Sequence, residues 1–372
     1  MPQIWEVRIK NQAGTVQAIL TGQRDGFTGF SFTQRVNSPG AYLLYFMKRA
    51  TQTDADFLTR VGKTAGWFEL DGQVEFWRRW PEMGIDKQLV GTFLQLDWEW
   101  YITVEDGLMF YSSGRGPVDL LGRPIIDAAA GTTTADKAGP AESVIKEYIT
   151  EQKARGATSL ANVAIEADGA GGNVDTWKRG HRNLLEIVQE IAKAGGGDFD
   201  VIPTTPANWE FQWHDGQLGT DRSIGSDRVR FAYDLGNMRQ PRLKLAHHDE
   251  INAVLVGGQE SGTARERVWR TDAARMISSP WNRREVWRDQ RQEDETAGLE
   301  TAGDETLAEG NPTEDLTFIP VQIPSALLGY HYRRGDLVLA EFMGHTAVKK
   351  VVETTFTFNR DVQEINVELE DA

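Results

Sequence analysis

Residues 90–104 read VGTFLQLDWEWYITV, and their alternation sets the fold class. Phe93, Gln95, Asp97, Glu99 and Tyr101 fall on one face of an extended chain. Leu94, Leu96, Trp98, Trp100 and Ile102 fall on the other. A period of two marks a half-buried β-strand. The same texture continues upstream. Trp5, Val7 and Ile9 alternate with Glu6, Arg8 and Lys10, and Phe27, Phe30, Phe32, Tyr42, Leu44 and Phe46 follow. Between Trp67 and Trp77, the Asp71-Gly72 pair predicts a tight hairpin, a turn that needs positive φ. Downstream, strands are expected over 199–202, 209–213, 229–233, 251–256, 336–342, 347–358 and 364–369.

Two segments interrupt this texture. After a Gly/Ala/Thr-rich run, Pro140 opens a helix with the apolar stripe Val144, Ile145, Tyr148 and Ile149. A second helix starts at the candidate N-cap Asn183, carries Leu184, Leu185, Ile187, Val188 and Ile191 inward, and stops at Gly195-Gly196-Gly197. The other interruption, 259–318, is polar and dense in Asp and Glu from Asp289 to Glu314, which predicts a solvated, partly helical insertion. The expected class is mainly β (α+β). The expected organisation is a β-rich lobe over 1–118, a helical insertion over 119–198, a second β-rich lobe over 199–258 and 319–372, and the acidic insertion over 259–318. The strand–helix alternation of a parallel α/β enzyme is missing.

Composition narrows the function. With 55 acidic against 40 basic residues the chain carries a net charge of −15, which repels nucleic acid and argues against stable DNA binding. The absence of cysteine excludes disulfides, thiolate metal sites and cysteine nucleophiles. No apolar run approaches the length of a membrane span. The amphipathic start of the chain does not resemble a secretory signal, so synthesis in a cytoplasm without general secretion is expected.

The candidate catalytic and binding motifs each fall short. Gly62-Lys63-Thr64 resembles the end of a phosphate loop, but Phe57 stands where that pattern needs glycine. The glycine-rich 169–173 run lacks dinucleotide spacing and reads as a surface loop. His247 and His248 are adjacent, so on a strand they point to opposite faces and cannot share a metal. Asp97 and Glu99, about 7 Å apart on one strand face, could serve as a glycosidase pair; the alternative is a wet or interfacial sheet face. No Gly-x-Ser-x-Gly elbow occurs. No cofactor, metal site or catalytic residue is expected. The 12 tryptophans and 16 phenylalanines read mostly as sheet packing, some as interface anchors, with a carbohydrate platform as the sharper alternative.

Three blocks, in order, resemble the tail-hub family of siphophages, relatives of the baseplate hub of contractile-tailed phages. The first is Ile102-Thr103-Val104 followed by Ser113 to Ile126, with Gly116, Asp119, Leu121 and Arg123 in its Asp-Leu-Leu-x-Arg run. The second runs from Asn183 to Val201. The third leads from Val229 to Met238 and Arg239, then Ile251 to Gly258, an Arg-rich stretch at 284–291, and Tyr332 to Val338 with Gly335 and Asp336. The resemblance covers roughly 100–372. It implies a structural, non-enzymatic protein of the virion tail tip, assembled in the host cytoplasm. It implies a homotrimer in which each chain supplies two tail-tube-like β-barrel domains. The implied partners are the distal tail or tail tube protein, the tape measure protein and fibre or receptor-binding tip proteins, with DNA only in transit during ejection. Gly116, Asp119, Leu121, Arg123, Gly335 and Asp336 are then structural or interface candidates, Gly335-Asp336 as a turn entering a barrel strand. Because a basic bore would hold DNA, Asp97, Glu99, Glu364, Glu368 and Glu370 are expected at the lumen or upper rim. A tail-tip-borne cell-wall hydrolase and a carbohydrate-binding adhesin are the alternatives.

Overall fold

The computed structural model describes residues 3–21, 26–63, 66–103, 107–128, 132–205, 207–259, 265–291, 295–359 and 362–372. Val104 and Thr64, and parts of the Gly/Ala/Thr-rich run and of the 259–318 segment, lie outside them. The chain forms two compact units, residues 1–239 with 319–372, and residues 240–318.

The first unit begins with β1 (Ile4–Lys10), β2 (Val16–Thr21), β3 (Gly29–Arg35), β4 (Ser38–Met47), the short helix α1 (Asp54–Arg60), β5 (Gln73–Trp80), β6 (Ile85–Thr103) and β7 (Gly107–Arg115). A 3₁₀ turn at Pro117–Gly122 leads into β8 (Ala135–Pro140), α2 (Ala141–Ala154), β9 (Val163–Ile165), β10 (Val174–Arg179), α3 (Leu184–Gly195), β11 (Gly197–Thr205), β12 (Asn208–Asp215), β13 (Asp221–Arg222) and β14 (Arg230–Ala232). The second unit is entered along β15 (Met238–Ala246). It contains β16 (Ala253–Gly257), β17 (Arg267–Thr271), α4 (Ala273–Met276), β18 (Glu285–Asp289) and α5 (Thr296–Glu309), and is left along β19 (Thr313–Pro320), which pairs with β15. The first unit resumes with β20 (Leu337–Phe342), β21 (His345–Asn359) and β22 (Val362–Asp371).

The main sheet runs β22-β21-β3-β4-β7-β6-β5-β1-β2 through antiparallel ladders. The first half of β21 also takes β20, to which β13 and β14 add in parallel. This sheet is rolled. Trp5 on β1 meets Phe30 on β3 and Phe356 on β21, with ring centroids 5.1 and 5.7 Å apart, although six steps of the ladder path separate β1 from β21. Phe76 lies 4.6 Å from Phe32 and 5.8 Å from Phe93, and Phe32 lies 4.8 Å from Phe356. Aromatic pairs add to the burial that closes such an interior. The two ends of the sheet approach where Gln363 Nε2 donates to Gln3 O at 3.0 Å. Among the described residues, however, no ladder joins β22 to β1 or β2, so the roll stays open along one seam.

The sequence-derived faces of 90–104 hold only halfway. The β6–β7 register slips between Gln95 and Asp97. One extra residue on a strand sends every later side chain to the opposite face. Phe93 and Gln95 stay inside, where Tyr42 and Ser112 both hydrogen-bond to Gln95. Beyond the slip Trp98 and Trp100 take the face of Phe110, and Asp97, Glu99 and Tyr101 turn to the other side. The Asp71-Gly72 turn exists, with Asp71 at φ 58°, but residues 67–70 form no strand. Asp71 N and Gly72 O instead bond Gln95 on β6, at 2.8 and 2.7 Å.

The helical segment forms a layer of its own. Helices α2 and α3 pack on the β11-β12-β9 sheet around Val144, Ile145, Ile149, Ile187, Val188, Ile191, Phe199 and Phe211. Asn183 caps α3, accepting from Leu185 N and Glu186 N, and Gly196 ends it at φ 71°. In the second unit α5 lays Leu299, Ala302 and Leu307 against Val254 and Val256 of the three-stranded β17-β16-β18 sheet.

The mainly β class expected from alternation is what the structure has. The grouping of the strands differs. β11 and β12, assigned above to a second lobe, complete the helical layer. The C-terminal strands continue the sheet of the N-terminal lobe. The 251–256 strand belongs with 240–318 and is the centre of that unit. The reason is the same each time: partners are chosen by burial across long sequence separations, which local alternation does not record. Phe76→Ala is expected to cost about 3–5 kcal/mol, read as a lower midpoint of urea unfolding. A change below ~1 kcal/mol would mean that the rings do not hold the roll.

Candidate functional site

The residues singled out above fall into three places. Gly116, Asp119, Leu121 and Arg123 meet at one joint. Gly116 N donates to Pro39 O at 2.7 Å, and a Cβ at 116 would stand 2.0 Å from that oxygen, so only glycine permits the approach. Asp119 accepts from Arg115 Nη1 at 3.3 Å and Arg123 Nε at 3.1 Å. Arg123 also clamps Asp71 with both Nη atoms, at 3.0 and 2.7 Å. Leu121 is fully buried beneath them, in the core of the helical layer. The joint therefore fixes the 3₁₀ turn to the turn that enters β5.

Gly335 and Asp336 form a second knot. Gly335 has φ 87° and donates to Val351 O at 2.8 Å. Asp336 is buried and accepts from Thr220 N at 2.7 Å, Arg222 Nε at 3.0 Å and Arg333 N at 2.8 Å, fastening β13 beside the start of β20.

The carboxylates form the third group and are not together. Asp97 and Glu99 are exposed on β6, whereas Glu364, Glu368 and Glu370 are exposed on β22, with β21, β3, β4 and β7 between in the ladder order. Neither Asp97 nor Glu99 lines any of five well-formed clefts of the described residues. Glu364 borders the seam cleft of about 320 Å³, with Gln3, Trp5, Trp80 and Phe356.

The other motifs resolve into structural contacts. The amides of Gly169 and Gly171 point to the buried Glu142 carboxylate at 3.0 and 2.7 Å, so an internal anion takes the donors a phosphate would need. Burial raises the Glu142 pKa. The hydrogen bonds from Lys146, Gly169 and Gly171 outweigh it and hold the carboxyl below its ordinary value. Lys63 lies 3.8 Å over the Trp98 ring. His247 Nδ1 lies 2.7 Å from Glu250 Oε2, and among the described residues no group of three His, Asp or Glu is placed to hold a metal. The faces of Trp77, Trp269 and Trp287 carry Arg8, Arg283 and Arg265, so several candidate sugar platforms are already covered.

A further polar network escaped sequence reading. Asp198, at the start of β11, accepts from Asn37 Nδ2 at 2.9 Å, Leu218 N at 2.7 Å and Lys350 Nζ at 2.6 Å, and Asp200 pairs with Arg334. Asn37, at φ 56° in the β3–β4 turn, also accepts from Phe199 N at 2.7 Å. This network ties the helical layer to the rolled sheet. The only hint in sequence was Asp198 and Asp200 flanking Phe199 at a strand start.

Residues 122–369 match the Siphovirus ReqiPepy6 Gp37-like protein family. The chain belongs to that family. No curated protein matches it. Its fold is similar to a 43 kDa tail protein of prophage MuSo2 from Shewanella oneidensis (TM-score 0.58, 13% identity, 100% of this chain and 98% of that one). It is also similar to a tail protein from Neisseria meningitidis MC58 (TM-score 0.54, 13% identity, 100% and 97%). Prophage tail protein gp18 from Listeria monocytogenes EGD-e is a third (TM-score 0.53, 11% identity, 98% and 94%). This Gp37-like chain thus has the fold of phage tail proteins from end to end.

Two outcomes follow for the internal anions. Asp198→Ala strands Lys350, the Asn37 amide and the Leu218 N–H, so it is expected to cost about 3–5 kcal/mol in urea unfolding; a loss under ~1 kcal/mol would remove the network from the account. Glu142→Gln is expected to be less stable than the native chain near neutral pH. Because the folded-state pKa of Glu142 is depressed, that advantage is present above the ordinary glutamate value of 4.5 and disappears as pH falls through the lowered titration. A pH-independent difference between the two unfolding curves would refute this.

Proposed function

We propose that the chain is a structural subunit of a siphophage tail, a homotrimeric ring at the distal end of the tail tube that joins it to the tip and surrounds the channel for DNA ejection. What carries this reading is the fold shared over nearly the full length of both chains with phage tail proteins, in a member of a siphovirus family. The open roll supports it. β2 and β22 each pair on one side only among the described residues, and an unpaired strand edge is a template on which another chain can pair. A closed ring of identical subunits covers such edges through heterologous contacts.

In this ring the other partners are the distal tail or tail tube protein, the tape measure protein and fibre or receptor-binding tip proteins. Its place is the tail tip of the virion, after assembly in the host cytoplasm. Asp97, Glu99, Glu364, Glu368 and Glu370 face the bore or its upper rim, where exposed carboxylates repel passing DNA and leave no basic surface for counterion release. The joint at Gly116–Arg123 and the knot at Gly335-Asp336 hold the interface elements in place. The role is architectural and uses neither cofactor nor catalysis.

Sedimentation equilibrium of the purified chain tests the assembly: three copies of 41.6 kDa are expected. A stable monomer at micromolar concentration that also digests peptidoglycan in a zymogram would overturn the reading in favour of a tail-borne hydrolase.

A further inference from the structure

On β5, Val74, Phe76, Arg78 and Trp80 face the interior, so a cation occupies a position flanked by the rings of Phe76 and Trp80. Arg78 is completely buried. Its Nη1 donates to Leu328 O at 3.0 Å and its Nη2 to Gln88 Oε1 at 3.0 Å. The 322–332 loop is built around it. Gln88 Nε2 donates to Gly329 O at 3.3 Å, Gln322 Oε1 accepts from Leu328 N at 2.7 Å, and Gly329 has φ 81° with no room for a Cβ, which would stand 2.2 Å from Arg78 Nη2. These contacts explain two of the guanidinium's donors. They supply no countercharge: both hydrogen-bond partners are neutral, and the Trp80 ring, 5.3 Å from the guanidinium carbon, offers only a π-face, while a buried cation without a carboxylate partner is costly.

Arg78 lines a cleft of about 230 Å³ together with Arg333, Arg334, Gln34, Gln88 and Thr354, and no carboxylate is among its lining residues. Arg334 is already neutralised by Asp200. Arg333 is exposed, and no ion pair of its side chain occurs among the described residues. Two buried polar atoms at the cleft, Arg78 Nε and Thr354 Oγ1, have no hydrogen-bond partner among the described residues. The pKa of Arg78 agrees with this excess: burial, with the nearby charge of Arg333, lowers it to about 10, and it stays a cation at neutral pH. A recessed concentration of positive charge is unusual in a chain with 15 surplus acids.

We propose that the cleft over Arg78, Arg333 and Thr354 is an oxyanion-binding site, taking a phosphate-type ion or a carboxylate of the same chemistry carried by a second copy of the chain. Arginine and a hydroxyl are suited to such a group, since charge-assisted hydrogen bonds are the strong ones and arginine matches oxyanions geometrically. A tail subunit held in this way would respond to the anions around it. The inference stands whether or not the chain forms a trimer.

The test is calorimetric titration of inorganic phosphate into the purified full-length chain at low salt, with chloride at matched ionic strength as control. Saturable binding to one site is expected for phosphate and not for chloride. Arg333→Ala, an exposed position whose loss leaves the core intact, is expected to weaken it by roughly tenfold. Thr354→Val keeps the shape and is expected to weaken it less. Arg283→Ala, an exposed arginine of the 240–318 unit, should change nothing. Sedimentation in the same buffers separates the sources. Phosphate that binds without altering the mass identifies a free anion, and phosphate that dissociates the oligomer identifies a carboxylate from another copy. If phosphate behaves as chloride in both measurements, or if Arg333→Ala binds as the native chain does, the proposal fails.

Discussion

The first unit depends on a roll whose ends are brought together by rings and not by a backbone ladder. Trp5, Phe30, Phe32, Phe76, Phe93 and Phe356 come from β1, β3, β5, β6 and β21 and meet in one interior. Their burial removes enough apolar area from water to bend the sheet until its ends nearly touch. Yet the ladder is missing at the seam, so the backbone groups on the outer edges of β2 and β22 are not used inside the unit as described. A tube with its own ladder closed would have no edge to offer. The open seam lets the same sheet be stable as a unit and still present strand edges outward.

The strands and caps of this architecture were legible locally. Alternating apolar residues marked most strands of the main sheet, though not β2, β7 or β13, and Asn183 and Gly196 bounded α3 because capping is decided within four residues. What was not legible came from decisions made elsewhere in the chain. The slip after Gln95 is such a case. Gln95 is held inside by Tyr42 and Ser112, and by backbone bonds to Asp71 and Gly72, none of which is its neighbour in sequence. Asp97 and Glu99 consequently leave the face of Phe93, and no pattern within 90–104 reports it. The pairing of β21 with β3, separated by more than three hundred residues, likewise follows from Phe356 and Phe32 sharing one interior. Of the candidate residues, Gly116, Asp119, Leu121 and Arg123 do cluster, because a short motif is local by construction. The Asp198–Lys350 and Asp200–Arg334 pairs span far too much sequence to be seen.

Charge is divided in a way the net value hides. Several carboxylates work inside the protein. Glu142 takes the amides of a glycine-rich loop, Asp198 and Asp200 join two layers, and Asp336 ties three segments at the entrance to β20. Each is surrounded by donors, which is the condition for burying a carboxylate without penalty. The surplus acids lie outward, notably along β22, where Glu364, Glu368 and Glu370 stand on one exposed face.

An acidic edge strand answers two demands that otherwise conflict. A long unpaired edge invites indiscriminate strand addition, and charged side chains along it discourage that. The same charges also oppose a second copy unless its meeting surface brings compensating cations. Arg333 is such a cation, exposed at a cleft of the first unit whose lining has no carboxylate, while the acids of that unit crowd the edge. A surface split in this way favours heterologous association, acid edge toward basic cleft, over symmetric pairing of like edges, since like charges face each other in the symmetric case. Heterologous contacts that close make rings. The charge distribution of this unit is therefore compatible with the ring proposed above.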